Sequence, residues 1–172
     1  SGRAHTSVGT FANGNLDWAY AATSYAAVTV GSIAMSSGKW HWQVNVTTVG
    51  VSYIGIIKAD QQVKGTEVTN TTIQSAGAYS YNSDGKKYNN QSLGSGTAYG
   101  ATYTTGDTIE IEFDADNGTL AFFKNGSAQG TAFTGLTSGP YLPLMGGYSG
   151  CNLSVNFGQR AFNTTPTSGF AA

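Results

Sequence analysis

From Trp40 to Val46 the chain alternates: Trp40, Trp42, Val44 and Val46 fall on one side, His41, Gln43 and Asn45 on the other. Successive side chains of a strand point to opposite faces, so this is a half-buried strand with Trp40 and Trp42 turned to the core. Ile109, Ile111 and Phe113 repeat the pattern against Glu110, Glu112 and Asp114, and Leu153, Val155 and Phe157 repeat it against Asn152, Ser154 and Asn156. Helical spacing of apolar residues is nearly absent. Asn117-Gly118 and Asn125-Gly126 mark hairpin turns, because both residue types accept positive φ. They predict a meander over 107–114, 119–124 and 128–133. Asn13-Gly14 and Asp84-Gly85 mark two further turns, and the Gly/Ser/Thr-rich stretch 92–106 reads as a loop. Many short strands separated by such turns predict an all-β sandwich or barrel.

Composition narrows this picture. A chain of 172 residues fits one domain and can close a two-sheet core without staples. Charged residues make up only 10%, but ten Tyr, eight Phe and three Trp argue for a folded chain. The Lys and Arg residues are scattered apart from Lys86-Lys87, which excludes a phosphate-tracking surface and hence a nucleic-acid partner. Cys151 is the single cysteine, read as a small buried hydrophobe, so no internal disulfide forms. No apolar run approaches the ~20 residues of a membrane span, so membrane insertion is not expected. The chain begins Ser1-Gly2 without Met and is read as one domain, 1–172, cut from a longer protein.

Candidate chemistry is sparse. Glu110 and Asp114 would be the carboxylates of a laminarinase-like glycoside hydrolase. Retention needs two carboxyls about 5–5.5 Å apart, whereas i and i+4 on a regular strand lie about 13 Å apart. The reading preferred here is the solvated face of a half-buried strand. Asp114 and Asp116 lack the Gly and Glu spacing of a calcium loop. Zinc would have to draw on His5, His41 and Cys151, fewer nitrogen and sulfur ligands than tetrahedral sites use. His41 is expected to be exposed on the outward face. No metal, cofactor or catalytic residue is assigned.

Six short segments resemble one family when read in order. They are Gly38-Lys39-Trp40-His41-Trp42-Gln43-Val44, Ile54-Gly55-Ile56 followed by Asp60, Asp84-Gly85-Lys86-Lys87-Tyr88, Gly106-Asp107-Thr108-Ile109 with Asp114, Phe122-Phe123-Lys124-Asn125-Gly126, and Asn156-Phe157-Gly158. This series resembles the SPRY domain, which implies a two-sheet antiparallel β-sandwich of concanavalin A-like jelly-roll type and a non-catalytic recognition role. His41 and Gln43 stand where the family usually has Tyr and Glu. The ending Asn156-Phe157-Gly158-Gln159-Arg160-Ala161-Phe162 is similar to SPRY-like modules of bacteriophage virion proteins. That likeness implies an exposed part of a tail fibre or baseplate, located in the virion, whose partner is a bacterial surface glycan or protein or a neighbouring virion subunit. An intracellular SPRY-type peptide-binding adaptor is the other non-enzymatic reading.

Strands fix a scaffold while loops vary, so the ligand is expected on loops. The turn-rich segments 61–78, 82–106 and 146–151 carry or flank Tyr79, Tyr81, Tyr88, Asn89, Asn90, Tyr99 and Tyr148. These seven are the candidate ligand-binding residues, expected to meet at one edge of the sandwich. Tyrosine suits such a surface because it offers a flat ring and a hydroxyl at low entropy cost.

Overall fold

The alternating residues meet one another across strands. Trp40, Trp42 and Val44 lie directly opposite Phe113, Ile111 and Ile109, so two sequence-distant stripes form one apolar surface. The computed structural model describes residues 9–21, 27–61, 77–91 and 94–172. Thirteen strands follow in order among the described residues: β1 Thr10–Ala12, β2 Asp17–Tyr20, β3 Ala27–Val30, β4 Lys39–Thr48, β5 Val51–Lys58, β6 Ala78–Asn82, β7 Lys86–Tyr88, β8 Thr97–Ala98, β9 Thr108–Asp114, β10 Thr119–Lys124, β11 Ser127–Phe133, β12 Tyr141–Tyr148 and β13 Cys151–Asn156. They form a seven-stranded sheet, β1-β2-β13-β4-β9-β10-β11, and a six-stranded sheet, β3-β12-β5-β6-β7-β8. Every strand pairing is antiparallel. The expected all-β sandwich is therefore the fold.

The predicted meander is β9, β10 and β11, and its two turns differ. At Asn125-Gly126 both residues have positive φ, 50° and 79°, the geometry that matches strand twist in a two-residue hairpin. At Asn117-Gly118 only Gly118 does, φ 63°. There the Asp114 carboxylate accepts the N–H groups of Asp116 and Asn117 at 3.1 and 3.0 Å, so a side chain closes a longer turn. The stretch 92–106, expected to be a loop, contains the two-residue β8 paired to β7.

Between the sheets lies an aromatic core. Tyr81 sits at its centre, with ring centroids 5.2 Å from Tyr99, 5.2 Å from Tyr103 and 5.4 Å from Phe122. Such tilted and edge-to-face pairs add stabilisation beyond the area they bury. Trp42 is 2% exposed, as its face predicts. Trp40 is only half-buried at the rim, where its indole N–H donates to the Ser37 carbonyl at 2.8 Å. A second apolar cluster, Ile57, Ala78 and Leu144 with Val28 and Leu142, occupies the far face of the six-stranded sheet.

Truncating a buried aromatic removes its transfer free energy and leaves a cavity, about 3–5 kcal/mol together. Trp42→Ala is expected to unfold at markedly lower denaturant than the parent. Equal midpoints in urea titration would show that the residue does not carry the core.

Candidate functional site

Glu110 and Asp114, the carboxylates of the enzymatic alternative, lie on β9. Glu110, Glu112 and Asp114 point away from the core, as alternation requires, yet they are only 1%, 6% and 5% exposed. His41 and Gln43 beside them are equally buried. The cover is the C-terminal segment. Asn163 N–H donates to Gln43 Oε1 at 3.1 Å, the Thr164 hydroxyl to Glu110 Oε1 at 3.0 Å, and Thr167 N–H to Glu112 Oε1 at 2.7 Å. His41 N–H donates to the Ala171 carbonyl at 2.7 Å. The Phe162 ring stands edge-on to the imidazole with centroids 4.6 Å apart. The expected solvated face is thus corrected. Its direction was right, but a polar strap of the same chain lies across it. The expectation of an exposed His41 falls for the same reason.

These groups are engaged in structure. Glu110 Oε1 also accepts Gly126 N–H at 3.0 Å. Burial pushes its carboxyl above the ordinary value, against the hydrogen bonds from Thr164 and Gly126. Burial also raises Asp114, but hydrogen bonds from Asn117 and the Lys39 charge outweigh it and hold the carboxyl low. A hydrolase needs both carboxylates at an open cleft, and here both serve the strap and the turn. The metal readings fare similarly. Asp116 Oδ1 accepts Gly38 N–H at 2.8 Å, and His5 lies outside the described residues. Among the described residues no group of three or more His, Cys, Asp or Glu could hold a metal ion.

The seven candidate residues divide among three places. Alternation puts Tyr79 and Tyr81 with Ile56 and Ile54 on the inner face of the six-stranded sheet. Tyr81 is fully buried and its hydroxyl donates to the Ala101 carbonyl. The half-buried Tyr99 closes the same stack, its hydroxyl donating to the Gly130 carbonyl. Asn89 donates to the Ala78 carbonyl at 2.8 Å, and Asn90 is an exposed turn residue with φ 54°. Tyr88 and Tyr148 belong to the outer face of the same sheet, opposite Ser80 and Val51. Tyr88 is 1% exposed and donates to Asp84 Oδ2 at 2.6 Å, so it supports a surface from below. Most of segment 61–78 lies outside the described residues.

What draws Tyr88 and Tyr148 together is Tyr53, which the sequence reading passed over. Its phenol is held well above the ordinary value by burial first, then by Tyr148, Tyr88 and Asp84 around it. Asn82 stands directly opposite Tyr53 in register. The Tyr53 hydroxyl and Asn82 Nδ2 are both buried and make no hydrogen bond. The signal was present: if Ile54 and Ile56 face inward, Tyr53 must face outward.

Three turns fix this corner. Ser83 N–H donates to the Ser52 carbonyl and its hydroxyl to the Gly50 carbonyl, each at 3.3 Å. Tyr99 and Gly100 N–H both donate to the Gly85 carbonyl at 3.0 Å. Gly50 has to be glycine, since a Cβ there would lie 2.1 Å from the Tyr148 carbonyl. Ser149 and Gly150 make the β12–β13 turn with φ 64° and 79°. The half-exposed Tyr148 and exposed Asp84 and Ser149 are therefore held on rigid backbone.

The family model described as SPRY domain matches residues 39–160. This chain belongs to the SPRY domain family. The Drosophila melanogaster "Ran-binding proteins 9/10 homolog" is 33% identical over 132 residues, covering 76% of this SPRY chain and 13% of that protein. "Protein ssh4" of Sclerotinia sclerotiorum is 37% identical over 82 residues, covering 48% and 16%. The chain thus spans only a small part of the curated relatives it matches. The SPRY domain of human HERC1 superposes with a TM-score of 0.67 at 17% identity, over 85% of this chain and 91% of that one, a likeness of fold.

These relatives overturn the bacteriophage reading. They come from animals and fungi, so the virion location and bacterial-surface partners are withdrawn. The run that suggested them is a turn whose geometry dictates its residues. Asn156 Oδ1 accepts the N–H groups of Gly158 and Arg160 at 3.1 and 3.3 Å, and its Nδ2 donates to the carbonyls of Arg160 and Ala161, each at 3.2 Å. Gly158 has φ 91°. A SPRY chain turning this way needs that Asn and Gly whatever its source.

The strap carries a pH signature. His41 Nδ1 lies 3.7 Å from Glu112 Oε1, an ion-pair distance too long for a hydrogen bond. Burial depresses the imidazole below its ordinary value, against the pull of Glu112. A depressed folded-state value means stability present above the unfolded value, about 6.5. That stability is lost as pH falls through the lower folded value, because the unfolded state takes the proton first. Glu110, raised by burial, has the opposite sign. His41→Leu is therefore expected to lose less melting temperature than the parent between about pH 7.5 and 5. Parallel curves for the two proteins would count against it.

Proposed function

We propose that this SPRY domain is a protein-recognition module without catalysis of its own, one part of a longer protein. It takes a short peptide segment of its partner at the corner built on Tyr53, Asn82, Asp84, Tyr88 and Tyr148. The family match supports the recognition role, and the small share of each relative that this chain covers supports the longer parent. The observation that carries the placement is the pair of buried, unpartnered polar atoms, Tyr53 Oη and Asn82 Nδ2, with half-exposed Tyr148 near Tyr53. Buried polar groups nearly always find a hydrogen-bond partner, and a peptide backbone supplies both donors and acceptors. Three turns hold the backbone of the corner, so only the Tyr148 side chain has to turn aside to admit the peptide, and little ordering entropy is lost on binding.

The name of the Drosophila relative describes a Ran-binding protein. The part shared with this chain is too small for Ran itself to be carried over. The partner is defined here only as a peptide that places its backbone over Tyr148.

A display library of random dodecapeptides selected on the purified domain tests this. Enriched peptides are expected to lose about 30-fold or more in affinity on Tyr148→Ala, the size of an aromatic hot spot, with no large change in melting temperature. Selected peptides that bind Tyr148→Ala and Asp84→Ala as tightly as the parent would place the site elsewhere.

A further inference from the structure

Three Asn-Gly pairs occur in the chain, at 13–14, 117–118 and 125–126. Such a pair can react with itself, because a residue without Cβ lets the Asn carboxamide approach the next backbone nitrogen closely. The three pairs are held differently. At Asn125-Gly126 both the nitrogen and the side chain are occupied. Gly126 N–H donates to Glu110 Oε1 at 3.0 Å, Asn125 Oδ1 accepts Thr108 N–H at 2.8 Å, and Asn125 Nδ2 donates to Asp107 Oδ1 at 2.7 Å. At Asn117-Gly118 the Asn Nδ2 donates to Asp114 Oδ2 at 2.8 Å, and the buried glycine is fixed through its carbonyl, which accepts Leu136 N–H at 2.9 Å. Asn13-Gly14 has the same left-handed backbone as Asn125-Gly126, with φ of 51° and 68°, but little holds it. Both residues are exposed, and a Cβ placed on Gly14 would meet no atom beyond its chain neighbours within 4 Å. The one hydrogen bond of the Asn13 side chain among the described residues runs from Nδ2 to Asp17 Oδ2.

We propose that Asn13 is a site of spontaneous covalent modification, at which Gly14 closes a succinimide that water opens to aspartyl and isoaspartyl products, and that the isoaspartyl product unpairs β1 from β2. Base removes the Gly14 N–H proton, the nitrogen attacks Asn13 Cγ, and the Cγ–Nδ2 bond breaks to release ammonia. Water then adds to either carbonyl of the ring. Opening at the side-chain carbonyl gives Asp. Opening at the main-chain carbonyl leaves Gly14 N on Cγ, so the backbone runs through the former side chain and gains a methylene. The consequences fall on the hairpin. A hydrogen bond from Ser154, aided by Asn13 and the Arg160 charge, holds the Asp17 carboxyl below its ordinary value against burial. Asp17 is therefore charged at neutral pH, and a carboxylate at position 13 replaces a donor to it with a like charge. Among the described residues β1 pairs only with β2, its three residues are exposed, and Ala12 opposite Asp17 is the pair next to the turn. A methylene added beside that pair shifts β1 out of register, and no buried side chain of β1 holds it back.

The native 172-residue chain and the same chain in guanidinium chloride are aged side by side for several weeks in mildly alkaline buffer. Peptide mapping by mass spectrometry, with the aspartyl and isoaspartyl forms separated, then reads each Asn-Gly pair. In guanidinium all three should convert at comparable rates, each exchanging NH2 for OH. In the native chain Asn117 and Asn125 are expected to convert at least about tenfold more slowly than in guanidinium, and Asn13 within about threefold of its rate there. In the ¹⁵N-labelled chain, the fraction carrying the isoaspartyl product should show the Phe11 and Ala12 amide resonances at unstructured positions, with those of β10 and β11 unmoved. Asn13→Gln, whose longer side chain closes a ring far more slowly, should keep β1 resonances in place through the same ageing. Protection of Asn13 by folding as large as that of Asn125 would overturn the proposal. So would faster native conversion at Asn117 or Asn125 than at Asn13, or β1 resonances that stay put in the isoaspartyl fraction.

Discussion

One buried hydroxyl holds the Tyr53–Asn82 corner in place. Tyr103 is 3% exposed, and its Oη lies 3.1 Å from the carbonyls of both Ser52 and Tyr81. Its backbone N–H donates to the Ser83 carbonyl at 3.2 Å. One side chain thus ties β5 and β6 to the segment that leads into β9 of the opposite sheet, and its ring packs on Tyr81 in the central stack. A phenol serves here because it fills aromatic volume and still satisfies backbone polar groups that water cannot reach. The turns at 49–50 and 83–85 inherit their rigidity from that pin, and Tyr148 inherits its position from the turns.

The parts of the fold that depend on local chemistry were readable from the residues. Period-two stripes gave β4, β9 and β13 their faces, and Asn125-Gly126 gave the β10–β11 turn. Alternation says which way a side chain points but not what lies over it. That is why His41, Gln43 and Glu110 looked solvated. Their cover comes from Phe162–Ala171, more than fifty residues beyond Glu110, in a segment with no periodicity of its own. The tyrosines divide between faces for a related reason. Their surroundings mark all seven candidate positions as turn-rich, yet strand register decides that Tyr81 faces Ile54 inside while Tyr88 shares the outer side with Ser80.

The two outer faces of the sandwich use different chemistry. On the six-stranded sheet, Ile57, Ala78 and Leu144 make an apolar cluster, and the polar exception is the Tyr53–Asn82 corner. On the seven-stranded sheet the outer face over β4 and β9 carries His41, Gln43, Glu110 and Glu112, and a peptide from the same chain donates to the last three. A carboxylate such as Glu110 tolerates that burial because the strap and the β10–β11 turn supply donors to one of its oxygens, while the other stays unmet. The face over β4 and β9 is therefore an acceptor of N–H and hydroxyl donors from the strap.

Among the described residues few charges reach the surface in a free state, and this limits how the domain meets a partner. Lys124 pairs with Asp107 at 3.1 Å and Lys39 with Asp114 at 3.6 Å. Lys86 and Lys87 donate to the carbonyls of Gly94 and Ala132 at 2.8 and 2.5 Å. With a formal net charge of −1, the molecule projects little field beyond a Debye length of about 8 Å. Association is then expected at the unsteered rate, about 10⁵–10⁶ M⁻¹s⁻¹, and not at the fast limit reached by charge-complementary pairs. At the proposed corner selectivity has to come from contact: ring area at Tyr148 and amide and hydroxyl geometry at Tyr53 and Asn82. Contacts of that kind show themselves in the dissociation rate. Added salt should therefore leave recognition at the proposed Tyr148 corner nearly unchanged, because contacts between rings, amides and hydroxyls are not screened as charge pairs are.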